Sequence, residues 1–205
     1  MTSNPALLLV LGAFGLPLLR SWQRQALMVT LPIAGLVVLR SLPAGSQGTA
    51  EFLGLVLDPI RVDGLSRVFA TGFLVAAALT MVYAIHLRDP LQQVVILVYA
   101  GSAVGGALAG DLITLFVFWE LAGLSSAFLI WAGRTERSHR AAMRYLVAQV
   151  GSGLLMLAGI LARVQAGEGI GFSYIGLDGP GGVLILAAIG IKCAFPDLSL
   201  PSHFI

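Results

Sequence analysis

The stretch Asp111-Leu-Ile-Thr-Leu-Phe-Val-Phe-Trp-Glu120-Leu-Ala-Gly-Leu-Ser-Ser126 decides how this chain must be read. A lone carboxylate, Glu120, stands in the middle of an otherwise apolar run. Asp111 sits at its start, where a side chain can cap a helix by accepting orphan backbone N–H bonds. A second isolated charge, Lys192, lies in Ala187-Ala-Ile-Gly-Ile-Lys192-Cys-Ala-Phe-Pro196. A charge at the centre of a membrane helix costs roughly 2.5–3.5 kcal/mol on insertion scales. A chain that carries one acid and one base at such positions is expected to use them.

Working outward, residues 90–133 form an almost unbroken apolar stretch of 44 residues. That is too long for one helix, since a span needs about 20. Gly110-Asp111 is the natural break. Over the whole chain 58% of residues are hydrophobic and 11% charged, and the mean hydropathy is +0.93. An ordinary globular domain carries about 25% charged residues. The fold class is therefore an all-α integral membrane protein with about seven transmembrane helices, at 4–20, 25–41, 63–86, 91–109, 111–133, 142–163 and 182 to about 198. The N-terminus has no basic residue before its apolar run, so the first span reads as a retained helix. The segments 42–61 and 164–181, rich in glycine and proline, read as extramembrane loops.

Orientation follows from the basic residues of short loops. Loops after odd helices hold Arg20, Arg24, Arg88, Arg134, Arg137, Arg140 and Arg144, whereas loops after even helices hold Arg40, Arg61, Arg67 and Arg163. The N-terminus is expected outside and the 134–144 loop in the cytoplasm, in a multi-pass protein of the inner (plasma) membrane. Depth then follows from helix rise. Glu120 lies about 13 Å into the fifth helix and Lys192 about 15 Å into the seventh, at 1.5 Å per residue. Both fall near the midplane of a hydrocarbon core about 30 Å thick, on helices running the same way. The two charges are expected to pair.

Other residues carry less. Gly123 and Ala127 share the face of Glu120, and Gly101, Gly105 and Ala109 line one face of the fourth helix, as close helix packing in membranes requires. Gln149 and Ser152 on the sixth helix are candidates for a secondary proton relay, beside the plainer role of interhelical hydrogen bonding. Pro196 removes a backbone donor and is expected to break the seventh helix; broken helices at membrane depth line wet cavities or ion sites. His86 and His139 fall at helix ends and offer no paired ligands for haem. One cysteine, Cys193, excludes an internal disulfide and a cysteine-rich metal site. Ser125-Ser126 has no matching base, and no glycine loop cradles phosphate. No cofactor, metal or nucleic acid is expected, since the basic residues scatter at helix ends.

Three segments follow one another in fixed order: Arg61-Val-Asp-Gly-Leu-Ser-Arg67-Val-Phe, Gly110-Asp-Leu-Ile-Thr-Leu-Phe-Val-Phe-Trp-Glu120 and Gly190-Ile-Lys-Cys-Ala-Phe-Pro196. Met143-Arg-Tyr-Leu and Gly151-Ser-Gly-Leu-Leu lie between the last two. Together they resemble the antiporter-like membrane subunits of respiratory complex I, Mrp-type Na⁺/H⁺ antiporters and hydrogenase-linked complexes, with the D-like group of Mrp subunits as the nearest likeness. The resemblance spans about residues 50–196. It implies that Glu120 and Lys192 form an intramembrane pair in a proton half-channel. It also implies other membrane subunits as partners, protons with Na⁺ as a candidate coupling ion, and no redox cofactor in this chain. A non-conducting structural or assembly subunit of such a complex is the alternative.

The same resemblance divides the chain. Residues 1–49 hold two N-terminal helices and a loop, 50–196 the antiporter-like region, and 197–205 a divergent tail, Asp197-Leu-Ser-Leu-Pro-Ser-His-Phe-Ile205. Family members usually have about fourteen helices in two inverted repeats. The expectation is an N-terminal portion of such a subunit, incomplete by itself.

Overall fold

The first helix begins where Asn4 can cap it, its side chain accepting from the amides of Ala6 and Leu7. The structure, a computed structural model, describes residues 4–87 and 89–193. Seven α-helices form among these residues: α1 (Pro5–Gly15), α2 (Ser21–Ser41), α3 (Gly64–Tyr83), α4 (Pro90–Leu108), α5 (Leu112–Trp131), α6 (Glu136–Gln165) and α7 (Gly182–Lys192). Short 3₁₀ turns extend α1 to Leu18 and α3 to His86. Five helices are long and apolar enough to cross a membrane, and α1 with its turn and α7 are shorter apolar helices.

Leu11, Val37, Leu79, Val147 and Leu154 are each more than 60% exposed. In water such an apolar surface would demand a partner. Lipid or further membrane helices can cover such a surface, and the chain is a multi-pass membrane protein.

The helices pack in two apolar groups. Leu9 of α1, Met28 of α2, Leu74 of α3 and Leu97 of α4 meet in the first. Met156 and Ile160 of α6 meet Ile185 and Ala188 of α7 in the second, with Leu112 of α5. Phe118 of α5 joins the first group, packing over Gly105 of α4. Gly101 receives Val10 and Leu9 of α1, so the small face of α4 works as the spacing requires.

Two expected boundaries shift. The segment 42–61 is not wholly irregular: β1 (Gly45–Ser46) pairs antiparallel with β4 (Arg61–Val62), and β2 (Ala50–Phe52) with β3 (Leu55–Leu57). The β2–β3 turn places Leu53 at φ 52° and Gly54 at φ 76°. The sixth helix starts at Glu136, not 142, because Thr135 caps it through a reciprocal capping box with Ser138. The expected break at Pro196 and the tail lie outside the described residues.

Candidate functional site

The site is built from α5, α6 and α7, with the starts of α5 and α7 fixed on one side of the bundle. Asp111 caps α5: one carboxylate oxygen accepts from the Thr114 amide at 2.7 Å. The other accepts from the Thr114 hydroxyl at 2.7 Å and from the Asp58 amide at 2.8 Å. The Leu112 amide donates to the Ile170 carbonyl at 2.9 Å. These bonds clamp the start of α5 between the segment carrying β1–β4 and the loop after α6. The depth of Glu120, some nine residues on, is set from there by the 1.5 Å rise.

Helix α7 is seated by close backbone approach. Gly181 caps it at φ 75°, in the left-handed region that favours glycine, and any Cβ there would run into the Gly159 carbonyl of α6. Ser152 then donates to the Ala188 carbonyl at 3.0 Å, tying α6 to α7 one turn before Lys192.

These constraints bring the two isolated charges together. The Lys192 ammonium donates to Glu120 Oε1 at 2.9 Å and to the Trp119 carbonyl at 3.3 Å. It also lies over the Trp119 ring, 5.0 Å from the centroid, as a cation–π contact. The Lys192 side chain is 8% exposed and that of Glu120 23%. Helix α7 packs on α6, so the lysine reaches α5 across α6, where Gly153 leaves the space. A Cβ at Gly153 would come within 2.5–2.7 Å of the Glu120 carboxyl group. Removing one member of a buried pair leaves an uncompensated charge, at about 3–5 kcal/mol.

The relay candidates separate. The Gln149 amide oxygen is buried, without a hydrogen-bond partner among the described residues. It faces Gly123, where a Cβ would approach it to 3.0 Å, so it lies one turn from the Glu120–Gly153 contact on the α5–α6 seam. Ser152 is spent on Ala188. Sequence reasoning did not single out Trp119 or Gly153 as neighbours of the pair. The signal for both was present: Trp119 precedes Glu120, and Gly153 is the second glycine of Gly151-Ser-Gly. Among the described residues no group of three or more His, Cys, Asp or Glu could hold a metal ion.

Residues 109–193 match the family described as NADH:quinone oxidoreductase/Mrp antiporter, TM. The chain is 35% identical over 108 residues to an A-type Na⁺/H⁺ antiporter subunit of Alkalihalophilus pseudofirmus, an alignment covering 49% of this chain and 13% of that one. It is 27% identical over 151 residues to an NAD(P)H-quinone oxidoreductase chain 4-3 of Nostoc, covering 67% and 27% respectively. In fold it is similar to a chain of the Mrp complex from Dietzia, with a TM-score of 0.75 at 24% identity over 91% of this chain and 22% of that one. The chain thus spans between 13% and 27% of the length of these curated relatives. Among antiporter subunits, an A-type relative therefore stands beside the D-like group that the motifs resemble.

Proposed function

We propose that this chain, whose residues 109–193 match the NADH:quinone oxidoreductase/Mrp antiporter membrane family, is a proton-translocating subunit of a cation/H⁺ antiporter or complex I-like assembly. The single observation that carries this reading is the Glu120–Lys192 contact at 2.9 Å, made near the middle of α5 and at the end of α7. A neighbouring carboxylate favours a charged amine and burial disfavours it, so separating the two lets the proton move on. Glu120 is the movable acid and Lys192 the proton carrier. Gln149, with its unsatisfied oxygen, extends the polar seam as a secondary relay; Ser152 holds α7 in place and is the weaker relay candidate. A purely structural subunit has no need of a buried acid and base, which favours conduction over the non-conducting alternative.

Protons are the transported species, Na⁺ is the candidate coupling ion, and other membrane subunits and the lipid bilayer are the partners. The N-terminus lies outside the inner membrane. Everted vesicles from cells carrying the chain with its partner subunits test the function. Addition of Na⁺ to vesicles holding an imposed pH gradient should discharge it, and vesicles lacking only this chain should keep it. Equal discharge in both would remove the chain from the proton route. Orientation is tested in a Cys193→Ser background: an impermeant thiol reagent on intact cells should label Thr49→Cys and spare Arg137→Cys, and the reverse pattern would invert the topology.

A further inference from the structure

The carboxylate of Glu120 does not hold Lys192 alone. A lysine ammonium is a compact point charge with three N–H donors on a flexible four-carbon stem. Lys192 donates to Glu120 Oε1 at 2.9 Å and, at 3.3 Å, to the Trp119 carbonyl. Its nitrogen also lies 5.0 Å from the centroid of the Trp119 ring. Two consecutive residues of α5 thus grip one cation through three chemically different groups.

Nothing in the helix makes that automatic. Adjacent residues on a helix point about 100° apart and do not face each other. An ammonium that meets both must lie between their two directions, close to the backbone, which is where the Trp119 carbonyl becomes reachable. That oxygen has a second lone pair to offer beside any helical bond. The indole is held independently of the lysine, because Trp119 packs against the apolar group that contains Met156, Ile185 and Ala188.

The three groups respond to different events. The pull of Glu120 depends on its charge and its position, and its side chain, 23% exposed, is the less enclosed member of the pair. That pull is lost when the carboxylate takes a proton or swings away. The Trp119 carbonyl and ring lose nothing in either event: neither titrates, one is backbone, and the other is packed. A ring quadrupole attracts the ammonium and not the neutral amine, so this part of the grip acts only while Lys192 carries its proton. With the Lys192 side chain 8% exposed, little water competes, and cation–π contacts are strongest where the cation is desolvated.

We propose that Trp119 is a positioning residue, a second seat that keeps the Lys192 ammonium charged and in place after Glu120 lets go. Its purpose rests on the reading of Lys192 as the proton carrier; its geometry does not. Without such a seat, opening the pair would strand a buried cation with no partner, a costly state, and Lys192 would shed its proton or withdraw from α5 as the pair opened. With it, the open pair holds a charged, seated lysine. Departure of Glu120 and departure of the proton then become separate events.

Mono-, di- and trifluorinated tryptophans placed at position 119 of the full chain test this. Fluorine weakens the negative face of the ring while keeping its shape, so a residue that only fills space is not affected. An amine-acylating ester reacts with the neutral amine, and Lys192 is the one lysine in the sequence, so peptide-resolved acylation reads how firmly the ammonium is held. The rate should climb with each added fluorine, by roughly fivefold to thirtyfold across the series. A flat series would overturn the proposal. In a Glu120→Gln background the climb should persist, since the ring then holds without the carboxylate; a climb that vanishes there would show that Trp119 acts only through Glu120, and would overturn the second seat. If that background does not assemble, the series in the parental chain decides. A fluorine-dependent rate together with parental proton flux in Lys192→Met would support the seat and refute the proton-carrying reading instead.

Discussion

Gly153→Ala is the smallest change that should open the ion pair without touching either charge. The added Cβ would stand 2.5 Å from the carboxyl carbon of Glu120 and 2.6 and 2.7 Å from its oxygens, where ordinary contact begins near 3.4 Å. The carboxyl group must retreat by up to about 0.9 Å. Half of that along the bond to Lys192 stretches 2.9 Å past the 3.2 Å limit of a good N–H···O bond. A hydrogen bond to a charged group contributes about 1.5–3 kcal/mol, so the open pair should gain roughly tenfold to hundredfold in population. Helix propensity acts the other way, alanine being better than glycine by roughly 0.5–1 kcal/mol. Total stability will therefore change little, and a melting curve is the wrong assay. Lys192 is the one lysine in the sequence, so a membrane-permeant amine-acylating ester reads its release directly, peptide by peptide. Gly153→Ala should speed acylation of Lys192 about tenfold or more. Gly151→Ala, whose Cβ meets nothing within 4 Å, should leave it unchanged. Equal rates in the two variants would refute the argument that Gly153 makes room for the pair.

Glu120→Gln or Lys192→Met should each lower assembled protein in the membrane, by about 3–5 kcal/mol of lost pairing, and the double variant should lower it less than either; quantitative immunoblots of membranes check this, and equal losses throughout would deny direct coupling. Asp111→Ala should cost about 0.5–2 kcal/mol for the lost cap and about 1–3 kcal/mol for the orphaned Asp58 amide, with hydrogen-exchange protection falling at both Thr114 and Asp58. Loss at Thr114 alone would mean that the loop is held by something else. Backbone and hydroxyl hydrogen bonds with Ser66 hold the exposed Asp63 carboxyl below its ordinary value. Its support for the start of α3 is present above that ordinary value and should disappear as pH falls through the lowered one; amide protection at Ser66 against pH follows it, and Asp63→Asn should abolish the dependence.

The membrane architecture was legible because periodic spans of apolar residues have few alternatives in lipid. The Glu120–Lys192 contact was legible too, through depth alone: two charges at one level on parallel helices have little else to meet. What escaped were features set by neighbours rather than by the local run. The pairing of Gly45–Ser46 with Arg61–Val62 closes a long loop, and nothing in a glycine- and proline-rich segment announces such short strands. Helix α6 begins before its apolar part does, because a capping box starts it at Thr135 and burial plays little part there. Gly153 was visible only as a small residue, since the carboxyl group it accommodates comes from another helix. Gln149 read as one more polar residue; its unsatisfied oxygen on the α5–α6 seam emerges only from packing.

The central claim is that Glu120 and Lys192 carry the proton, and proton flux in everted vesicles with the partner subunits present tests it most directly. At matched levels of assembled protein, Glu120→Gln and Lys192→Met should each reduce cation-driven discharge of a pH gradient to that of vesicles lacking the chain. Glu120→Asp, which keeps the acid on a shorter arm, should restore part of it. Parental flux in either neutral variant would show that the buried pair holds the helices together and moves no proton.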